Sequence, residues 1–424
     1  MNKTLNNLFK GDKVIWMVFF FLCIVSIVEV YSASSQLTYK GGSYLEPMVK
    51  HAGLLALGIF FMLVTMNVQC KYFKIFTPFL LLLSLVMLIW VLVAGEATNG
   101  ASRWVGIMGF KFQPSEIAKG SLVLATAQIL SAMQGENGAD RRAFGYILSV
   151  CAVIVSPILL ENFSTAALIC VVIFMMMVIG RVPIDQLGKL IGVTMLVVVV
   201  VVTMTMLFGN AENTEQKPTT RTEQVETEKQ KDKGNMLSRV FHRFDTWKAR
   251  IENFSSNEEV PPEKVDLDKD GQVAHANIAI ASSNIVGCGP GNSVERDFLS
   301  QAFSDFIYAI IIEEMGFIGA FFVALLYIVM LFRTGRIASH CENAFPAFLA
   351  MGLALMLVTQ ALFNMCVAVG LAPVTGQPLP LISKGGTSSV INCIYVGAIL
   401  SVSRSAKKKE DDGQPAVATN VAKA

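Results

Sequence analysis

Ten separate apolar runs, each long enough to cross a lipid bilayer or nearly so, constrain this chain more than any other feature. They fall near 14–32, 48–66, 75–94, 115–133, 146–160, 164–180, 190–208, 306–332, 344–366 and 388–403. Backbone polar groups in hydrocarbon must be satisfied internally, so runs of this kind fold as helices. Composition agrees: the 424 residues are 53% hydrophobic and 16% charged, with a mean hydropathy of +0.55. Such values exclude an ordinary soluble domain. The expected fold class is an all-α polytopic membrane protein of about ten transmembrane helices, a single membrane domain over 1–424. The runs across 146–180 are short, and Glu161–Asn162 between them reads as a re-entrant bend or a short surface loop. Val14 to Ser32 lacks a convincing small-residue cleavage site and is expected to remain as the first span.

Lys and Arg in the short loops set the orientation. One side collects Lys3, Lys10, Lys13, Lys71, Lys74, Arg141, Arg142, Arg181, Lys189, Arg333 and Arg336, and then Arg404 and Lys407 to Lys409. The other has Lys40, Arg103, Lys111 and Lys384. The basic side is expected to be cytoplasmic, with both termini inside and 404–424 as a cytoplasmic tail. A large extracytoplasmic loop, 209–305, then joins the seventh and eighth spans. The net charge of +2 gives no sign of a nucleic-acid partner. The eight cysteines show no metal-like spacing and read as small hydrophobes, with Cys288 unpaired in the loop.

Within that loop, 212–233 is rich in Thr, Glu, Gln and Lys and is expected to be mobile. Residues 236–254 carry apolar positions at helical spacing with Arg239, Arg243 and Lys248 between them. They read as an amphipathic helix, lying on the membrane or on the protein's own loop. Asp266 to Val273 imitates the first half of a calcium loop, but the twelfth position is Asn277 rather than a bidentate glutamate. A solvated acidic turn is the simpler reading.

Three stretches carry chemistry. In Phe303 to Gly319, Asp305 stands at the mouth of an apolar run that also holds Glu313 and Glu314. Glu313 lies about 12 Å along the helix from Asp305, where a carboxylate costs roughly 2.5–3.5 kcal/mol unless partnered. The two glutamates are expected to hold neighbouring helices together. Asp305, at the water boundary, can stay ionised. Asn99 to Ser121 brings Arg103, Lys111, Gln113, Glu116 and Lys119 to one membrane entrance, with Pro114 opening the fourth span. Glu116 and Lys119 share a helix face as a pair. The cationic groups suit a diphosphate lipid head group, while Arg103 with Trp104 also reads as an interfacial anchor. In Asn364 to Ser389, prolines at 373, 378 and 380 forbid a plain helix. Irregular backbone at membrane depth lines a cavity or is buried in protein, so this stretch is expected to wall the cavity of Asp305. Ser383 and Lys384 within it join Arg103, Gln113, Glu116 and Lys119 as candidate substrate-binding residues.

These three stretches together resemble the motifs of the SEDS proteins (shape, elongation, division and sporulation), typified by FtsW and RodA. NGASRWVGIMGFKFQPSEIAK is similar to that family's first outer-loop motif, GNSVERDFLSQAFSDFIYAIIIEEMGFIG to its large-loop motif, and PVTGQPLPLISKGGTSS to its C-terminal motif. The resemblance runs from about residue 14 to 404 and is greatest to the division branch, FtsW. Departures exist: Phe303-Ser304 stands where the family has His-Thr, and Lys384 where it has Tyr. Asn162 takes the place of an acid in a Pro-Asp-Leu-Gly-Thr motif, and Ser283-Asn284 the place of a glycine pair.

The resemblance implies a peptidoglycan glycosyltransferase, localised to the bacterial cytoplasmic membrane, that polymerises lipid II for septal wall synthesis. It implies Asp305 as general base, with Arg103 and Lys119 stabilising the diphosphate leaving group. It also implies a class B penicillin-binding protein and other divisome membrane proteins as partners, besides membrane lipid. A divalent cation, Mg2+ or Mn2+, is compatible with diphosphate chemistry, but the metal ligands are unknown and no ligand constellation is visible. A lipid II flippase is the alternative, since charged groups in a helical core also suit transport.

Overall fold

In the computed structural model, residues 10–34, 45–94, 96–98, 101–107, 110–136, 138–208, 271–299 and 304–413 are described. Among them are eleven helices. In chain order they are α1 (Lys13–Ser34), α2 (Leu45–Asn67), α3 (Cys70–Ala94), α4 (Pro114–Ala132), α5 (Arg141–Glu161), α6 (Phe163–Ile179) and α7 (Ile184–Phe208). Within the 209–305 segment lies α8 (Gly271–Ser282), and after it come α9 (Ile307–Ser339), α10 (Ala344–Ala368) and α11 (Thr387–Gly413). Each of the ten apolar runs coincides with one of these helices, α8 being the addition. Seven of them (α1, α2, α3, α5, α9, α10 and α11) are long and apolar enough to cross a membrane, and α6 is a shorter apolar helix. The fold is that of a polytopic helical membrane protein. The loop stretches at 212–233 and 236–254, with Asp266 to Asp270, lie outside the described residues.

Helices α4, α10 and α11 form the buried centre, packed with α1, α2, α6 and α9. Small residues allow the closest approach: a Cβ on Gly397 of α11 would stand 2.6 Å from the Met62 carbonyl of α2. The outward faces stay apolar, as in Phe79 and Leu82 of α3 and Phe321 of α9, all more than 60% exposed. Such a surface suits lipid rather than water.

Two differences from the sequence reading have clear causes. The Glu161–Asn162 interruption is a break of one residue: Asn162 ends α5 and caps α6 by accepting from the Thr165 N–H at 3.3 Å. An aspartate could cap in the same way, so an amide here costs the fold nothing. The calcium-like spacing is interrupted because Gly271 already starts α8, which places Asn277 inside a helix rather than at the end of a loop. Ahead of α4, the chain forms a small antiparallel sheet, β1 (Glu96–Thr98), β2 (Ala101–Ile107) and β3 (Phe110–Phe112). Pairing of Val105 with Phe112 and Ile107 with Phe110 delivers the chain to Pro114 at the first turn of α4.

Helix α9 is broken at Gly316, whose φ of 67° and ψ of −173° no helix contains. The carbonyls freed by the break find partners in the segment after α8: Cys288 N–H donates to Glu313 at 3.0 Å and Gly289 N–H to Glu314 at 2.9 Å. Tyr308 Oη donates across the break to the Ala320 carbonyl at 3.1 Å. At the other end of α9, Arg333 binds the Asp12 carboxylate at 2.6 Å, and Asp12 also caps α1. Glu314 lies nineteen residues before Arg333, on the far side of the break at Gly316.

Candidate active site

Asp305 lies just before the first turn of α9 and is half-buried. Its Oδ1 accepts from the Ser304 hydroxyl at 2.8 Å. The backbone on either side of the carboxylate is clamped to the Pro-rich segment between α10 and α11. Ser383 Oγ donates to the Ser304 carbonyl at 2.7 Å. Asn364 Nδ2 donates to the Asp305 carbonyl at 2.9 Å and to the Gln377 carbonyl at 2.7 Å. Two independent side chains thus fix the main chain that carries the acid.

The Pro-rich segment has no helix of its own to satisfy its carbonyls, and four different helix side chains do so. Asn364 takes residue 377 and Gln360 takes Pro378 at 2.9 Å, both from α10. Tyr327 of α9 takes Pro380, and Ser26 of α1 takes Ile382 at 2.7 Å. The Leu379 N–H donates to Ser383 Oγ at 2.7 Å, and Leu381 is held at a positive φ of 67°. This is irregular backbone buried in protein, as its prolines require.

Glu116 and Lys119 form the expected pair on α4, 2.8 Å apart, but with exposures of 2% and 0% they lie inside the bundle. The Lys119 ammonium also donates to Gln360 Oε1 at 2.8 Å, and Tyr395 of α11 donates to the Glu116 carbonyl at 2.5 Å. Lys119 is therefore joined to Asp305 through Gln360 and the Pro-rich segment rather than by facing an open mouth. Gln113 precedes α4 and donates to Ser115 at 3.1 Å. Arg103 falls in β2 and Lys111 in β3.

Glu313 and Glu314 serve the segment after α8 more than the neighbouring helices. Glu313 accepts from Ser293 Oγ at 2.5 Å and from the Val294 N–H at 2.9 Å. Glu314 accepts from Ser32 of α1 and lies 3.7 Å from Arg296, which in turn donates to Ser32 at 2.9 Å and to the Gly291 carbonyl at 2.6 Å. His275 of α8 and Glu295 meet at 2.6 Å and close the loop on itself. Among the described residues no group of three or more His, Cys, Asp or Glu side chains could hold a metal.

Asn364 and Gln360 carry the site's architecture and were not singled out from sequence. Their signal was present, since each is a polar side chain inside an otherwise apolar α10.

A helical bundle gathered round a clamped, half-buried carboxylate defines the class, a polytopic membrane protein with an ionisable site at one end. More particularly, the chain belongs to the cell cycle protein family of FtsW, RodA and SpoVE, whose sequence pattern matches residues 12–225 and 234–408. It is 29% identical over 398 residues to a probable peptidoglycan glycosyltransferase FtsW of Geobacter sp. strain M18, covering 92% of this chain and 96% of that one. It is 28% identical over 405 residues to stage V sporulation protein E of Bacillus subtilis strain 168, covering 93% and 97%. Among solved structures, a chain from a study of polymerisation and crosslinking by a peptidoglycan synthase complex superposes with a TM-score of 0.68. Its identity is 22%, and the match covers 93% of this chain and 98% of that one. The Thermus thermophilus rod shape determining protein RodA gives 0.61 at 21% identity, covering 96% and 100%.

Proposed function

We propose that this protein is a peptidoglycan glycosyltransferase of the bacterial cytoplasmic membrane, extending glycan strands from lipid II on the outer face and serving division. The observation that carries the reading is the double clamp on Asp305, which holds one carboxylate in fixed geometry at the end of a half-helix. Family membership and the curated relatives support it.

In the proposed step, the Asp305 carboxylate takes the proton of an acceptor sugar's 4-hydroxyl as its oxygen attacks the donor's anomeric carbon. The new C–O bond forms as the bond to the diphosphate breaks, and the diphosphate leaves with the electron pair. A single displacement inverts the anomeric configuration and needs no covalent enzyme intermediate. General-base help of this kind is worth roughly 10²–10⁴-fold. Arg103 is the proposed contact to the diphosphate. Lys119, buried with Glu116 and Gln360, instead positions the Pro-rich segment behind Asp305.

The chain's outer loop is the proposed contact for a class B penicillin-binding protein, and both termini are placed in the cytoplasm by the Lys and Arg asymmetry. Reconstitution with labelled lipid II, alone and with that partner, tests the assignment. Glycan chains stimulated by the partner are expected. Translocation of lipid II without polymer in either condition would instead support a flippase.

A further inference from the structure

Helix α6 reaches the main chain of Asp305 through one relay of hydrogen bonds. Gln377 Nε2 donates to Thr165 Oγ1 at 2.6 Å, across 212 positions of sequence. The Gln377 carbonyl accepts from Asn364 Nδ2 at 2.7 Å, and the same Nδ2 donates to the Asp305 carbonyl at 2.9 Å. Thr165, Gln377 and Asn364 are all buried, where hydrogen bonds are stronger than in water and a missing partner is costly.

The far end of the relay is aimed by the break between α5 and α6. Asn162 alone separates the two helices, and it caps α6 by accepting from the Thr165 N–H at 3.3 Å. The break thereby sets where the Thr165 hydroxyl stands. Gln377 is held from two sides, its side chain by α6 and its carbonyl by Asn364 of α10. The Pro-rich segment has no helix of its own at this point, so its side-chain anchors determine its position. Asn364 gives its amide hydrogens to two carbonyls, while its Oδ1 has no hydrogen-bond partner among the described residues. The amide is therefore oriented by the carbonyls it holds, and a shift of Gln377 is passed on to Asp305.

We propose that Thr165 and Gln377 are positioning residues for Asp305, the α5–α6 junction setting where the carboxylate stands against the acceptor sugar. Both act through Asn364. The assignment rests on the proposed glycosyl transfer, in which a base displaced by about 1 Å loses much of its effect.

The test uses full-length protein in liposomes with the partner transpeptidase and labelled lipid II. Wild type is compared with Thr165→Val, Thr165→Ser, Gln377→Met, Asn364→Ala and the double variant Thr165→Val with Asn364→Ala, each checked for fold by its thermal melt. Thr165→Val is expected to lower kcat about tenfold and to leave KM within about twofold, because the base moves while substrate binding is untouched. Gln377→Met removes the same hydrogen bond from the other side and is expected to match it; it carries the test if the valine variant melts early. Thr165→Ser keeps the acceptor and is expected to retain most of kcat. The double variant is expected to lose about as much as Asn364→Ala alone, since the two changes lie on one path. Wild-type kcat in folded Thr165→Val and Gln377→Met would overturn the relay. So would a rise in KM with kcat unchanged, a serine variant as slow as the valine one, or a double variant whose losses multiply. Each of these leaves wild-type polymerisation, and with it the glycosyltransferase reading, standing. A wild type that forms no glycan even with the partner would remove that reading and the relay's role together.

Discussion

Asn364 holds Asp305 by its backbone: one amide nitrogen donates to the Asp305 carbonyl at 2.9 Å and to the Gln377 carbonyl at 2.7 Å. The acid and the Pro-rich wall are thereby a single unit. Removing the amide leaves two inward-facing carbonyls without that donor, at a cost of about 1–3 kcal/mol each. Asn364→Ala is expected to lower kcat at least about tenfold, with a smaller change in KM, because the base is displaced rather than the donor released. Polymerisation kinetics on a variant with a matching thermal melt check this; unchanged kcat would separate Asn364 from the site.

Lys119 and Glu116 are a buried pair, so their variants should report on stability before chemistry. Lys119→Met strands the Glu116 carboxylate and is expected to cost about 3–5 kcal/mol, whereas Glu116→Gln with Lys119→Met should recover much of it. Thermal unfolding in detergent measures both. Equal melting of single and double variants would contradict a coupled pair.

Gly316 breaks α9 at a positive φ, and a Cβ there would stand 2.3 Å from the Ile285 carbonyl. Gly316→Ala is expected to destabilise by at least about 1–3 kcal/mol and to loosen the outer loop. Faster proteolysis within 283–299 than in wild type is the expected readout.

The order of these helices was legible because long apolar runs report burial directly, and Pro114 marked the start of α4 to within one residue. Asp305 and the glutamates stood out because charge is costly in an apolar run. What could not be read was which partner each polar group would find. Lys119 looks from its spacing like a residue at the entrance, yet Gln360, 241 positions away, takes its ammonium. The break in α9 was hidden for a related reason. MGFIG reads as helix until the carbonyls of Glu313 and Glu314 are seen to meet residues 288 and 289 from a distant segment.

Cys288 is exposed in the loop, yet its thiol is pushed above the usual range by burial of the sulfur and by the Glu313 and Glu314 charges. A raised pKa means less thiolate near neutrality. Labelling by a membrane-impermeant maleimide on intact spheroplasts should therefore be slow at pH 7 and still accelerating at pH 9. Glu313→Gln should shift that profile to lower pH. Labelling only after lysis would place the loop inside and overturn the orientation.

Glycan synthesis by Asp305→Asn decides whether the Asp305 carboxylate is the base. The amide keeps the size of the side chain and can still accept from Ser304, but it cannot take a proton as a carboxylate does. Wild type and variant, matched for fold and reconstituted in liposomes with the partner transpeptidase and labelled lipid II, are compared by the length and amount of glycan formed. Chains are expected from wild type, with a loss of roughly 10²-fold or more in the variant. Equal polymer from both proteins would contradict it.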